Sequence, residues 1–491
     1  MDFFDPKKQK RHAIRMGVGY ALIAIALALA TTILVYQAYG FGIDKNGQVF
    51  QNGLVFLNSE PHSADIYVNN VRYKSQTNTR MALPAGQYTV RISLSGYRTW
   101  QRAITVEGGS VERFDYPFLF PSKLATTTTQ AYTTAPTFVT QSSDNHWLLV
   151  EPSPTADFDL YDLTASKPTP KDLALPTSVL TANTTTTGWD VVEWAGDNQH
   201  VLLRRSYQDQ QDSSTGSEYI LVDTQDPSQS QNLTQLLDAG TAAISFKNLD
   251  YNEYYLFDAT DGTVSTASIK APTPVTYLTN VINFAEDSNM VLYATTAGAP
   301  ANKVLIRIRQ NTDTAYTLRT VDAGTTYLLN LANYSGDEYA VVAAQNQNEV
   351  YIYQSPLTAL TSQSQPVVAP IEILKINDPT YIDFSPNGRF VLAENAGSIG
   401  TYDLENNNAY AYQVNTPLDA PQSHVNWMDG YHLDMVSDGK VLVFDFDGAN
   451  MQSLVPADAT FVLAFDPNYH FLYAFNTSHA LTSTSLLVKQ Q

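Results

Sequence analysis

A three-residue block recurs along this chain: an apolar residue, a variable one, then a large apolar one. It reads Val192-Glu193-Trp194, Ile244-Ser245-Phe246, Ile282-Asn283-Phe284, Leu329-Asn330-Leu331, Ile382-Asp383-Phe384, Val425-Asn426-Trp427 and Leu463-Ala464-Phe465. The middle position is polar in every copy but the last. Carboxylate and amide oxygens are what a hard cation such as Ca2+ takes as ligands. If the copies stand around an axis, Glu193, Asn283, Asn330, Asp383 and Asn426 ring the mouth of a central channel, where they can hold a cation or a polar ligand. The plainer role is hydrogen bonding between neighbouring copies, and it is the favoured one. No metal ligand, cofactor or catalytic group is assigned on this pattern; Ca2+ is the one cation the ring suits.

Other chemistry is sparse. The chain has no cysteine, which removes disulfides, thiol nucleophiles and Cys-based metal sites. It contains no G-x-S-x-G, no H-E-x-x-H, no P-loop and no dinucleotide fingerprint. Asp445-Phe446-Asp447-Gly448 opens like a Ca2+ loop but lacks the remaining acidic ligands. His146, His200 and His470 follow turns between strands, where solvent accounts for them. Trp147, Trp194 and Trp427 stand in apolar register, which fits core packing rather than sugar stacking.

The third block positions lie 52, 38, 47, 53, 43 and 38 residues apart, a mean of about 45. Turn residues follow, such as Gly196-Asp197-Asn198, Asp287-Ser288-Asn289 and Pro386-Asn387-Gly388. Each turn leads into a strand, and further strands come later in each period. A degenerate earlier copy spans 138–163. A period near 45 with several strands and no helix predicts a β-propeller over 138–491, because each repeat is too small to bury both of its faces alone. Eight blocks are countable, but the last is short, so seven or eight blades are open. The segment 121–137 carries Ala125-Thr126-Thr127-Thr128-Thr129; it is either a Thr/Pro-rich linker or a strand that closes the ring on the C-terminal end. Ile382-Asp383-Phe384-Ser385-Pro386-Asn387-Gly388-Arg389 resembles the WD40-like repeat of TolB-type propellers. That resemblance implies the fold rather than a function.

Before the repeats, 51–120 reads as six short strands parted by Asn69-Asn70, Pro84-Ala85-Gly86, Ser95-Gly96 and Gly108-Gly109. The order Ser59-x-Pro61-x-x-Ala64-x-Ile66-Tyr67-Val68, then Leu83-x-x-Gly86-x-Tyr88-x-Val90, then Gly96-Tyr97-x-x-Trp100 resembles the PEGA domain. The family implies an immunoglobulin-like β-sandwich of prokaryotic envelope proteins, with no catalytic residues to carry over. Pro61-His62-Ser63-Ala64 stands where the family has Pro-Glu-Gly-Ala. The loss of that glycine matters only if the turn needs a positive φ.

The chain opens with a basic tail, 1–15, and an uncharged apolar run, 16–39. As a helix, the 21 residues from Met16 to Tyr36 span about 31 Å, one hydrocarbon core. Lys7, Lys8, Lys10, Arg11 and Arg15 predict a cytoplasmic N-terminus. The run is expected to be an uncleaved signal anchor, although Ala28-Leu29-Ala30 also offers a cleavage pattern. The small pairs Gly17/Ala21 and Ala24/Ala28 lie on one helix face, which offers a homo-oligomer contact. The net charge is −20 over 491 residues, which argues against a nucleic-acid surface. Thirty tyrosines and a charged fraction of only 15% fit β structure.

The expectation is an all-β protein: an N-terminal transmembrane helix, a small sandwich, then the propeller. Its expected role is a cell-membrane, extracytoplasmic scaffold whose propeller binds an envelope protein or a cell-surface glycan. The alternative follows from propeller lactonases, which place a metal on the axis with Glu, Asn and Asp ligands. Glu193 and Asp383 are then ligands of a hydrolase.

Overall fold

The computed structural model describes the chain apart from residues 1–5, 44–46, 48, 154, 312–313, 363–366, 415–423 and 489–491. The start of the basic tail and Asp44, at the end of the anchor, therefore lie outside the described residues. The chain divides into two compact units, Met1–Lys123 with Val488–Gln491, and Leu124–Leu487.

In the first unit, one helix runs from Pro6 to Ala38 over 33 residues. It begins ten residues before the apolar run, because the Lys/Arg-rich tail is itself a good helix former. Leu22, Leu27 and Leu34 are each more than 60% exposed, a surface that water does not favour and lipid does. Length and composition suffice to cross a membrane.

The sandwich packs two four-stranded sheets. In one, Val49–Leu57 lies between Thr79–Pro84 and, in parallel, Val111–Phe114. The other has Asp65–Val68 between Val71–Gln76 and Gly86–Ser93, with Trp100–Val106 outside. Alternation buries Val55, Leu57, Ile66, Met81, Val90, Ile92 and Trp100 between the sheets. Val71–Gln76 escapes a reading by alternation because it is a polar edge strand with no buried residue. The turn residues Asn69 and Asn70 have φ of 48° and 65°, a region Asn tolerates. Ser63, in place of the signature glycine, has φ of 63°, so the turn does require the left-handed conformation.

Among the described residues the second unit is a β-propeller of eight four-stranded antiparallel sheets, the first seven of them simple meanders. Blades 1 to 7 cover 138–174, 184–232, 243–278, 281–322, 327–374, 381–413 and 426–456. Blade 8 takes three strands from 464–485, and its fourth is Ala125–Ala131, paired with Ala480–Ser485. The Thr-rich segment thus closes the ring, its β-branched residues forming an outer strand.

Every recurring block lies on the first strand of its sheet. Those first strands touch one another across blades 1–2, 2–3, 4–5 and 5–6, which makes them the inner strands. In blades 4 and 7 the next strand is covered on both faces. Met290–Thr295 and His432–Ser437 are buried throughout, so they show no alternation. Turns after the inner strands use left-handed residues. Gly388 (φ 71°) is required as glycine, since a Cβ there would come 2.7 Å from the Asn333 carbonyl oxygen.

Candidate functional site at the ends of the inner strands

The inner strands of blades 2 to 5 end around a cavity of about 780 Å³. Its walls are of two kinds. Phe246, Phe284, Leu249 and Leu331 give apolar surface, and Glu193, Glu286 and Asp287 give carboxylates. Each carboxylate spends one oxygen on the ring. Glu193 Oε1 accepts from the Phe246 backbone N–H of blade 3 at 2.5 Å. Glu286 Oε1 accepts from the Asn248 N–H at 2.6 Å, and Asp287 Oδ2 from Asn333 Nδ2 at 2.6 Å. The other oxygen of each carries no hydrogen bond among the described residues. For Glu286 that oxygen, Oε2, is buried.

Burial pushes the Glu286 carboxyl up to about 7, with Asp287 and Glu193 adding to it and the Asn248 N–H and Lys247 opposing it. Burial also raises Glu193, against the pull of the Phe246 N–H. The Asn248 amide is already engaged. Asn248 Nδ2 donates to Asn289 Oδ1 at 2.9 Å, and the Asn289 N–H returns a bond to Asn248 Oδ1 at 2.8 Å. The turn that carries them is held in an unusual conformation: Asn248 and Leu249 are consecutive left-handed residues, φ 55° and 54°. A leucine there is uncommon, and it leaves its side chain 46% exposed at the cavity.

The five ring residues fall in different places. Glu193, on the inner strand of blade 2, lines the cavity. Asn283 donates to the Tyr327 carbonyl oxygen of blade 5 at 2.8 Å. Asn330 Nδ2 approaches Asp383 Oδ1 at 3.4 Å, joining blades 5 and 6. Asp383 also accepts from the Tyr381 hydroxyl at 3.2 Å, and burial raises its carboxyl to about 6. Among the described residues Asn426 reaches only the His424 carbonyl oxygen, two residues back, at 3.4 Å. Four of the five therefore bond to a neighbouring blade. Among the described residues no three His, Asp or Glu side chains gather as a cation site. Asp447 Oδ1, in the Ca2+-loop-like segment, accepts from the Ala449 N–H.

Sequence reasoning missed two things. Glu286 and Asp287 lie just beyond the Phe284 block and carry the cavity's charge; their signal was a carboxyl pair entering a turn. The second miss concerns histidine. His200 is not a solvated turn residue. Its side chain is 12% exposed, with Nδ1 2.7 Å from Asp197 Oδ2 and Nε2 3.6 Å from Asp223 Oδ2. Blade 7 repeats the bracket with His432, Asp429 at 2.7 Å and Asp445 at 3.6 Å. Blade 6 puts Arg389 in that place, bidentate on Asp403 at 2.9 and 2.7 Å. The shared Asp-x-x-His spacing, 197–200 and 429–432, was the readable sign. Trp194 is core, its Nε1 donating to Thr140 Oγ1 of blade 1 at 3.0 Å.

Fold and site together define an all-β protein with one apolar N-terminal helix, a small sandwich and an eight-bladed propeller with a cavity at its inner strands. Residues 52–119 match the PEGA domain family. No curated protein matches the chain. Among solved structures the chain is similar to Porphyromonas gingivalis dipeptidyl peptidase 4, at 11% identity and TM-score 0.45, covering 71% of this chain and 56% of that one. It is also similar to the β-propeller domain of Cps50 (Swd1) from Myceliophteria thermophila, at 10% identity and TM-score 0.36, covering 74% and 99%. A third is Kluyveromyces lactis Hsv2, at 10% identity and TM-score 0.39, covering 66% and 99%. At such identity no activity passes from them to this chain.

Proposed function

We propose that the protein is a single-pass prokaryotic envelope protein whose propeller binds a protein partner through the cavity of blades 2 to 5. The N-terminus is cytoplasmic, the PEGA module follows the anchor in the chain, and the propeller faces outward. The basic residues Lys10, Arg11 and Arg15 before the apolar run support that orientation. The observation that carries the binding role is the cavity itself. It joins exposed apolar surface at Leu249 to three carboxylates that each keep an unused oxygen. A purely structural turn has no need of either feature.

The test is a photo-crosslinking residue placed at Leu249 in the full chain, in native membranes. The control is the same residue at Val275, which is 64% exposed on the outer strand of blade 3. A discrete adduct from Leu249 that Val275 does not give supports the reading. Identical patterns from both positions, or no adduct from Leu249, overturn it.

A further inference from the structure

We infer that this cavity takes a lysine or arginine side chain of the partner, its cationic head meeting the unpaired oxygens of Glu193, Glu286 and Asp287 and its stem lying on Phe284 and Leu249. The inference rests on the binding role proposed above and goes further, to ligand chemistry. It follows from what the wall offers and what it has already used. The described lining includes no lysine or arginine. The nearest basic group, Lys247, is held by Glu253 at 2.5 Å. The side-chain donor of Asn248 is spent on Asn289, and that of Asn333 on Asp287. What remains charged is one oxygen on each carboxylate, beside the neutral hydroxyls of Ser245 and Ser288 and the Asn289 amide. A ligand rich in donors and poor in acceptors matches this wall. An ammonium or guanidinium is all donor. A neutral sugar leaves the charge of the carboxylates unmatched, and an anion is repelled.

The apolar part of the wall fixes the rest of the ligand. Two phenylalanines and two leucines line the same space as the carboxylates. A compact, hydrated metal ion gains nothing from them, and the carboxylates do not gather into a metal group. An aliphatic stem ending in a cation gains from both, as Lys and Arg do when they lie along apolar surface.

One consequence concerns pH. Glu286 faces Asp287, Glu193 and Lys247, and burial pushes its carboxyl up to about 7. A cation needs it ionised, so affinity rises between pH 5.5 and 8, by roughly tenfold for a group titrating in that range.

The experiment uses the full chain in lipid nanodiscs and a fluorescent hexapeptide of neutral polar residues with one central lysine or arginine. Counterparts carry acetyl-lysine or citrulline, which keep the stem and lose the charge. The expected result is binding of the charged peptides, at least tenfold weaker binding of the neutral ones, and at least tenfold loss in the double variant Glu193→Gln, Glu286→Gln. That variant keeps the accepting oxygens toward Phe246 and Asn248, so an unchanged melting temperature at pH 5.5 confirms that it folds. Equal binding of charged and neutral peptides overturns the inference, as does no binding by either. Butylamine binding as tightly as the lysine peptide also overturns it, since the site then serves a free amine rather than a side chain. If Leu249 still crosslinks a partner while the peptides fail, the binding role stands and only the ligand chemistry falls.

Discussion

The turns after the inner strands of blades 2 and 7 close on themselves, while the turns that border the cavity in blades 3 and 4 stay partly open. In the closed kind, Asp429 accepts from the backbone N–H groups of Tyr431 and His432 on one oxygen and from the His432 ring on the other. Asp197 does the same with Gln199 and His200. Burial works against both charges, yet these bonds hold both carboxyls below their ordinary value. In the open kind, Glu286 and Asp287 each satisfy one neighbour and stop, and burial wins at Glu286. The same fold position therefore serves two ends. A carboxylate with both oxygens engaged braces its own blade; one with an oxygen to spare keeps capacity for a ligand.

The largest expected effect comes from breaking a closed turn. His432→Leu leaves Asp429 buried without its partner and should cost about 3–5 kcal/mol, read from urea unfolding of the full chain. The pH dependence has a definite sign. Burial works against the His432 cation, but Asp429 and Asp445 outweigh it and raise the group. Its stabilisation is fully present below about 6.5 and is lost as pH rises through the raised folded value. The variant should lose that dependence.

A smaller effect is expected at Glu151, a fully buried carboxyl on blade 1. Its Oε2 accepts from the Thr137 hydroxyl, and its Oε1 has no partner. Burial, then Asp190, pushes it up to about 8. A raised carboxyl stabilises fully below its unfolded value near 4.5 and loses that contribution as pH climbs toward 8. Glu151→Gln should therefore gain on the order of 2 kcal/mol at pH 8 and little at pH 4. A flat difference between the two pH values would count against that reading. At the open turns, Glu193→Gln with Glu286→Gln should leave stability at pH 4, where the raised carboxyls are protonated, within about 1 kcal/mol of wild type, since the amide oxygens keep the backbone bonds. A loss of several kcal/mol would place these residues with the braces.

The smallest effect lies outside the propeller and controls for it. Ser63→Gly relieves a left-handed serine in the sandwich and should stabilise that unit by about 0.5–1 kcal/mol. Hydrogen exchange of the PEGA module should slow while that of the propeller turns is unchanged.

Much of the architecture was legible because periodicity reports burial directly. The Trp194, Phe246, Phe284, Leu331, Phe384, Trp427 and Phe465 spacing marks inner strands because each must plant a large side chain between blades. The Asn69-Asn70 turn was legible for the same kind of reason, a backbone demand that only some residues meet; the Ser63 turn was not, since a serine there does not show whether the backbone is left-handed. Seven or eight blades could not be decided from the repeats, since blade 8 borrows a strand from more than 350 residues away, as the Thr126–Thr484 contact shows. The cavity was only half visible. Glu193 sits inside a block and was singled out; Glu286 sits two residues past one, where the chain bends and strand alternation no longer tells which way a side chain points. The brackets were hidden because a histidine after a turn reads as solvated until the second aspartate, Asp223 or Asp445, arrives from a strand one turn later.

The most direct test combines the crosslink with the charge. With the photo-crosslinking residue at Leu249 in native membranes, the adduct is compared between wild type and the Glu193→Gln, Glu286→Gln chain at equal expression. The account predicts that the adduct forms in the first and falls by tenfold or more in the second. An adduct of equal yield in both would contradict it, because the open carboxylate oxygens would then play no part in holding the partner.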